Sequence, residues 1–291
     1  MTKVEWEAFR AFGGTAPQYA KKMLVQTDGE NSYQYYKWNR GSYSYSQMRD
    51  IVKMMEEAEK IGDESYVAIG KFLKAYYFYN MTLMFGDIPF TEALKGESDN
   101  IFQPIYDDQK TVVIGVLDEL ESANEILKKI DSSVKGDIIF GGDTDKWRRL
   151  VNAFRLKVLL SMSNKEPDAD LNIKGRFSKI FTEEPLMRDI KDNGQVVYLD
   201  QEKNRYPEFN SSSFGSGMYV YSTFIKRLQD HKDPRLFLFC TQTKEAKEAG
   251  KAINDFSAYE GGDPAAPYAT GNEKGTKGKV SRVLERYYQD P

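Results

Sequence analysis

The chain has 291 residues, near the upper limit for one hydrophobic core, and its 40% hydrophobic share is that of an ordinary globular protein. Its 41 basic and 44 acidic residues are interspersed and leave a net charge of −3, so the basic surface of a nucleic-acid binder is missing. One cysteine and one histidine exclude a disulfide framework and a zinc site built from these residues. We therefore expect no nucleic-acid partner, no catalytic metal and no cofactor, while calcium, which takes oxygen ligands, stays open.

The N-terminus runs directly into an amphipathic stretch and lacks the apolar core of a signal peptide. No segment of the sequence reaches the roughly 18 consecutive apolar residues that a membrane-spanning helix requires. We therefore expect either an intracellular protein or a piece of a longer protein from which a targeting segment has been removed.

Residues 33–45 form the first distinctive segment, in which aromatic residues alternate with Gly, Asn and Ser, a composition typical of a loop. Exposed rings can stack on the C–H face of a sugar or on a peptide side chain, and tyrosine hydroxyls can bond its polar groups. The alternative is that the rings cover the helices beneath. The candidate ligand contacts here are Trp38, which has the largest ring, and Tyr35, Tyr36 and Tyr43.

Apolar residues at spacings of three and four predict a helix over 46–61, and a break at Gly62 and Asp63 precedes a helix over 64–85 that is apolar on most sides. Gly86 and Pro89 end this second helix. The same spacing predicts a third helix over 105–130 and a fourth from about Thr144. We expect a mainly α fold of tetratricopeptide-like antiparallel helix pairs with long irregular loops and a few short strands, although no consensus recurs at the usual spacing of about 34 residues.

The C-terminal part has a weaker pattern. We expect a short strand over 195–199, a helix over 219–229 and a loop over the Gly- and Lys-rich residues 261–279. A second aromatic set lies between the strand and the helix, among Asn and Ser. It adds Tyr206 and Phe209 to the candidate ligand contacts, with Phe214 as a weaker member.

No catalytic constellation stands out. His231 lies in a polar helix exit and is expected to be a solvated surface residue. Asp143 and Asp145 have the spacing of calcium-loop carboxylates, but without the following glycine and terminal glutamate helix capping explains them better. Among 44 acidic residues some pair always suits a glycosidase, so that signal has no specificity. We predict a protein that is not an enzyme.

Several motifs, taken in order, closely resemble the SusD/RagB family. The first is a helix with the pattern lysine, alanine, tyrosine that runs into a phenylalanine-glycine-aspartate-isoleucine-proline turn. A Trp- and Asn-bearing basic helix and an aspartate-proline-arginine motif follow. These segments are Phe72–Tyr79 with Phe85–Phe90, Asp118–Ala123, Lys146–Lys157 and Asp233–Leu236.

The resemblance implies an outer-membrane, cell-surface lipoprotein of Bacteroidetes with tetratricopeptide-like helix pairs, which binds glycans, or peptides in some members, and does no chemistry. Its partner would be a SusC-like TonB-dependent transporter, and its only link to the membrane a lipid anchor absent from this chain. We expect one SusD-like domain over 1–291, without the N-terminal signal and anchor segment and without the family's C-terminal helices. Oligosaccharide capture is the leading function; peptide capture, a helical glycoside hydrolase and a protein-binding scaffold are the alternatives.

Overall fold

The computed structural model describes residues 1–10, 23–26, 45–131, 133–202, 205–206, 209–210, 214 and 217–289. These residues are mainly helical, which confirms the predicted fold class. They fall into two compact units, one of residues 1–9 and 45–197 and the other of residues 23–26 and 198–289. The single domain over 1–291 stays a prediction.

The first unit contains six α-helices among the described residues, with two short 3-10 turns at Ser163–Lys165 and Ile190–Asp192. The residues predicted as a strand over 195–199 form none, and Val197 and Leu199 are exposed. The helices are α1 (Thr2–Arg10), α2 (Ser46–Ile61), α3 (Glu64–Phe85), α4 (Gln109–Leu127), α5 (Thr144–Ser161) and α6 (Ile173–Glu183).

The turn between α2 and α3 shows why both helices have the predicted bounds. Gly62 adopts the left-handed conformation, with φ of 70°, and its N–H donates to the last carbonyls of α2. Asp63 then caps α3, because its carboxylate accepts the N–H of Ser65 at 3.1 Å. Two residues leave room only for a reversal, so α2 and α3 form an antiparallel pair.

Helix α4 begins later than the sequence predicted. The backbones of Ile88 and Asp107 exchange two hydrogen bonds of 3.2 and 3.0 Å, which hold residues 105–107 in an extended conformation. Asp108 then caps α4 by accepting the N–H of Thr111 at 2.9 Å. The spacing of apolar residues gives no sign of this bridge, because Ile105 and Tyr106 also fit the apolar stripe of the predicted helix.

Trp147 lies in the core of the first unit and is 0% exposed. Its ring meets those of Phe9, Phe72 and Phe140 edge to face, with centroids 6.1, 5.7 and 5.3 Å away. The indole Nε1 donates to the carboxylate of Asp137 at 2.9 Å. A buried Trp with its N–H satisfied thus joins α1, α3 and α5.

Glu5 attaches α1 to the region around Asp137 and Trp147 through a buried carboxyl group. Its Oε2 accepts the N–H of Ile138 at 2.9 Å, whereas Oε1 is buried and accepts no hydrogen bond. Burial raises the pKa of Glu5 to about 8, with the nearby Asp137 adding to the rise. The Glu5 carboxyl group is therefore mainly neutral at pH 7, and α1 docks through a buried, protonated side chain that accepts one backbone hydrogen bond.

Helices α4 and α5 are joined by a buried polar network. Asn124 Oδ1 accepts from Asn152 Nδ2 at 2.9 Å and from Arg148 Nε at 3.0 Å. Arg148 also forms an ion pair of 2.6 Å with Glu184 beyond α6. Asn152, in the basic helix that carries part of the family resemblance, thus satisfies a buried polar interface between α4 and α5.

The second unit contains a two-stranded antiparallel sheet in which Leu24 pairs with Val220 and Gln26 with Met218. The predicted helix over 219–229 is therefore a strand followed by a helix, and part of the predicted loop over 261–279 is helical. The elements are β1 (Leu24–Gln26), β2 (Met218–Val220), α7 (Ser222–Asp230), α8 (Arg235–Phe239), α9 (Lys244–Glu248) and α10 (Tyr268–Thr276), with 3-10 turns at Phe256–Ala258 and Glu285–Tyr287.

The core of the second unit surrounds α7 and α8 and includes the single cysteine, Cys240. Burial raises the pKa of its thiol to about 12. Asp233 begins the turn into α8, where its carboxylate accepts the backbone N–H and the Nε of Arg235, each at 3.0 Å. The predicted aspartate-proline-arginine motif is thus a local clamp, and His231 before it is exposed.

No helix among the described residues is long and apolar enough to cross a membrane. Within the same ranges, no three side chains of His, Cys, Asp or Glu come together in a way that could hold a metal ion.

Candidate functional site

The predicted ligand contacts divide into two groups. Trp38, Tyr35, Tyr36 and Tyr43 lie outside the described residues and stay predictions. Tyr45, the last aromatic of that segment, is described: its hydroxyl donates to the Pro89 carbonyl at 2.8 Å and its ring meets that of Phe78. This one ring covers the helices, in line with the alternative interpretation of the cluster.

Tyr206 and Phe209 lie in a tight turn of the second unit. The Phe209 N–H donates to the Tyr206 carbonyl at 2.9 Å, which holds the two residues close together. Both side chains are half-buried. The Tyr206 ring also meets that of Tyr198 edge to face, with centroids 5.5 Å apart. The sequence pattern therefore identified two neighbouring rings, and it missed the third.

A charged pair borders these rings. The guanidinium of Arg205 lies over the Phe209 ring, 5.0 Å from its centroid, and forms a 2.6 Å ion pair with Asp200. Half-buried rings beside polar groups suit a ligand with both an apolar face and hydroxyl groups, as a sugar has. We call Tyr198, Tyr206, Phe209, Arg205 and Asp200 the aromatic cluster.

Phe214 has a different role. It is buried and its ring stacks on Tyr288, with centroids 5.1 Å apart and planes inclined by 13°. Its ring therefore belongs to the core of the second unit and is not available to a ligand.

The first unit has a cavity of about 920 Å³ that sequence reasoning missed. It lies among α2, α3, the segment of residues 90–102 and Glu119 of α4. The carboxylate of Asp107 fixes the start of that segment by accepting the N–H groups of Phe90 and Thr91 at 2.9 and 2.8 Å. Burial raises the pKa of Asp107, but these bonds outweigh it, and the net pKa is below the ordinary value.

Glu119 lies at the cavity wall between two lysines. Its carboxylate accepts from Lys74 at 2.7 Å and from Lys71 at 3.0 Å. Burial raises its pKa, but the two lysines outweigh that effect, so the net pKa is lowered and the group is ionised at neutral pH. The feature of the sequence that pointed toward this cavity was the phenylalanine-glycine-aspartate-isoleucine-proline turn, which leads the chain into the segment of residues 90–102 that lines it.

Comparison with known proteins identifies the family to which this chain is similar. Residues 3–284 match a SusD-like family described as starch-binding and associating with the outer membrane. A candidate nutrient-binding outer-membrane protein of Bacteroides vulgatus aligns with all of this chain at 50% identity and a TM-score of 0.88, over 63% of its own length. A SusD homolog of Bacteroides fragilis aligns with all of it at 47% identity and 0.86, over 62% of its length.

More distant structures show the fold alone. A chitin-binding SusD homolog of Flavobacterium johnsoniae is 18% identical, with a TM-score of 0.66, and the match covers 98% of this chain and 58% of that one. No curated protein is similar enough to this chain to count as a match. The chain thus spans a little under two thirds of the length of the two similar Bacteroides proteins. Its ordered motifs, its helix pairs and these matches agree, and the chain belongs to the SusD-like family.

Proposed function

We propose that this protein captures an oligosaccharide at the cell surface and delivers it to a SusC-type TonB-dependent outer-membrane transporter, without changing the sugar chemically. In this proposal a lipid anchor holds the whole protein to the outer membrane. The observation that carries the proposal is the aromatic cluster, in which three half-buried rings lie beside an Arg–Asp pair. Membership of a starch-binding family supports it.

The cluster suits weak and reversible binding. A few stacked rings and hydrogen bonds give dissociation constants of about 1 mM to 1 μM, or roughly −4 to −8 kcal/mol. A ligand that has to pass on to a transporter must also leave the site, so this range fits the proposed role. Calorimetry of the intact protein against a panel of neutral oligosaccharides and peptides, combined with an assay for products, tests the proposal.

We expect Tyr206→Ala and Phe209→Ala each to weaken binding of the oligosaccharide by about 1 to 3 kcal/mol, because each removes an apolar face from the sugar. Tyr206→Phe should keep most of the affinity if ring stacking contributes most of the binding free energy. It should lose affinity if the hydrogen bond of the tyrosine hydroxyl contributes most. The measurement is calorimetric titration, with melting temperatures to check that each variant is folded.

The matched control is Tyr268→Ala, which removes a 60% exposed tyrosine of α10 that is not part of the cluster. Its affinity should equal that of the unmodified protein. Equal affinities for all four variants would exclude the cluster as the sugar site.

Trp38 carries a separate prediction, since it lies outside the described residues. Trp38→Ala should weaken oligosaccharide binding by about 1 to 3 kcal/mol, or five- to 150-fold, and leave the melting temperature nearly unchanged. If the ring instead covers the helices, the variant should lose stability and keep its affinity. Measuring both quantities on this one variant separates the two roles.

Peptide capture on the same fold is the second candidate. The charged pair in the cluster favours it, because Arg205 and Asp200 could pair with the termini of a peptide. Tighter binding of a short peptide than of any neutral glycan would select it. Release of product from any glycan would instead establish a helical glycoside hydrolase, and binding of neither ligand class would favour a protein-binding scaffold.

A further inference from the structure

We propose that the cavity among α2, α3 and residues 90–102 is a second binding site, for an oligosaccharide that carries carboxylates, such as a chain of uronic acids. This goes beyond the proposed function, because the site lies in the first unit and the aromatic cluster in the second.

The charges of the cavity are mostly neutralised in pairs. Lys53 forms ion pairs with Glu56 at 2.8 Å and Glu97 at 3.6 Å. Lys74 pairs with Glu119 at 2.7 Å. The three acidic residues of the lining are therefore all held by lysines, so they repel an anionic ligand less than free carboxylates would.

Two further cations of the lining, Arg49 and Lys95, have no acidic partner within the described residues. Both side chains are exposed to solvent. An arginine fork binds a carboxylate through two parallel hydrogen bonds, and a lysine adds a point charge. The cavity thus offers a carboxylate two unused partners, one on α2 and one on the 90–102 segment.

Aromatic rings supply the apolar part of the site. Phe102 is 77% exposed and belongs to the cavity lining, so its side chain is accessible to a ligand. Phe90 is half-buried and also lines the cavity, and the buried Phe78 supports its ring edge to face, with centroids 4.8 Å apart. A sugar ring can lay its C–H face on phenylalanine while its carboxylate reaches a cation.

The lining segment is held in place before any ligand arrives. The ring of Phe90 packs so closely on Gly115 of α4 that a side chain there would come within 2.2 Å of it. Leu94 and Asn100 have φ of 65° and 56°, a conformation that costs free energy in residues other than glycine. Such strain persists only in a well-determined segment and is common at binding sites. A preformed site loses less free energy on ordering when it binds.

The same segment is poorly suited to a peptide. Its backbone N–H groups at Phe90, Thr91, Ala93, Asp99 and Ile101 already donate within the chain. A bound peptide would bring its own backbone groups and needs a free edge to satisfy them. A uronic-acid chain needs cations, hydroxyl partners and ring faces, which this cavity has.

Calorimetry of the intact protein with trigalacturonate tests the proposal, and the methyl ester of the same trisaccharide is the matched neutral ligand. We expect the acid to bind at least about tenfold more tightly than the ester, because only the acid carries carboxylates that form ion pairs with Arg49 and Lys95. Arg49→Gln and Lys95→Gln should each weaken trigalacturonate binding about five- to tenfold. Lys60→Gln, on the same helix as Arg49 but outside the lining, should change nothing.

Equal binding of acid and ester would overturn the proposal, as would unchanged affinity in both Arg49→Gln and Lys95→Gln. Binding of a free-carboxyl tripeptide without binding of trigalacturonate would overturn it in favour of a peptide site. Tyr206→Ala distinguishes the two sites: it should leave trigalacturonate binding intact and weaken neutral oligosaccharide binding. Failure of either proposal can thus be recognised separately.

Discussion

Replacing Trp147 by alanine should lower the free energy of unfolding by about 3 to 5 kcal/mol, the usual effect of removing a fully buried Trp. The cost has two sources in this structure. The cavity left behind would be bordered by three aromatic rings that cannot all close on it. Asp137 would also lose one of its buried donors. Chemical denaturation followed by far-UV circular dichroism measures the change.

Trp147→Phe is the control for that experiment. It keeps an aromatic ring among Phe9, Phe72 and Phe140 and removes only the indole N–H and part of the volume, so we expect a loss of about 1 to 3 kcal/mol. Affinity for the oligosaccharide should not change in either folded variant. An unaltered melting temperature in Trp147→Ala would contradict the central position of this residue.

The second large effect is a dependence of stability on pH that comes from Glu5. Its pKa in the folded chain is about 8, above the ordinary value of 4.5. Below pH 4.5 both folded and unfolded chains carry the proton, and the stabilising contribution is fully present. Between these two values only the unfolded chain loses its proton, so the free energy of unfolding falls by about 1.4 kcal/mol per pH unit. Above about pH 8 the contribution is lost.

Glu5→Gln isolates this contribution from those of the other carboxyl groups. The amide oxygen can still accept from the Ile138 N–H, but the group does not titrate. Between the unfolded and folded pKa values of Glu5, the unfolding free energy of the unmodified protein should therefore fall relative to that of the variant by about 1.4 kcal/mol per pH unit. At pH 9 the variant should be the more stable of the two. Parallel stability curves from pH 4 to 9 would show that Glu5 keeps an ordinary pKa.

Sequence patterns predicted the bounds of α2 and α3 and the start of α5 well, because local residues determine these ends, but they did not predict α6. Gly62, Asp63 and Gly86 stop or cap α2 and α3 without help from distant parts of the chain. The start of α4 was wrong because a pairing between residues 88 and 107 determines it. Contacts between residues far apart in sequence leave no periodic signal.

The second unit was harder to predict for the same reason. The strand over Met218–Val220 exists because it pairs with Leu24–Gln26, almost 200 residues earlier. Helix α10 contains Gly275, which usually disfavours a helix, yet a side chain at this position would come within 2.6 Å of the Tyr219 hydroxyl. The glycine is needed for close packing with Tyr219. The sequence alone does not show this contact, so the glycine content of the segment predicted a loop.

The candidate sites show both the use and the limit of sequence patterns. Aromatic residues among Asn and Ser predicted Tyr206 and Phe209, which do lie together. The same pattern included Phe214, which packs into the core. The cavity of the first unit combines residues from three helices and one irregular segment, and each of them is unremarkable by itself. Only their juxtaposition identifies a site.

The single, deeply placed cysteine has a practical consequence for all of these experiments. At neutral pH the Cys240 thiol is both buried and protonated. Maleimides and iodoacetamides react with accessible thiolates, so they do not label this residue in the folded chain. A new cysteine at an exposed position would then be the one reactive thiol of the folded chain. Fluorescent or spin labels could be placed at chosen surfaces, for example beside the cavity, without first removing the natural residue. Labelling of the unmodified protein would in turn report on opening of the second unit.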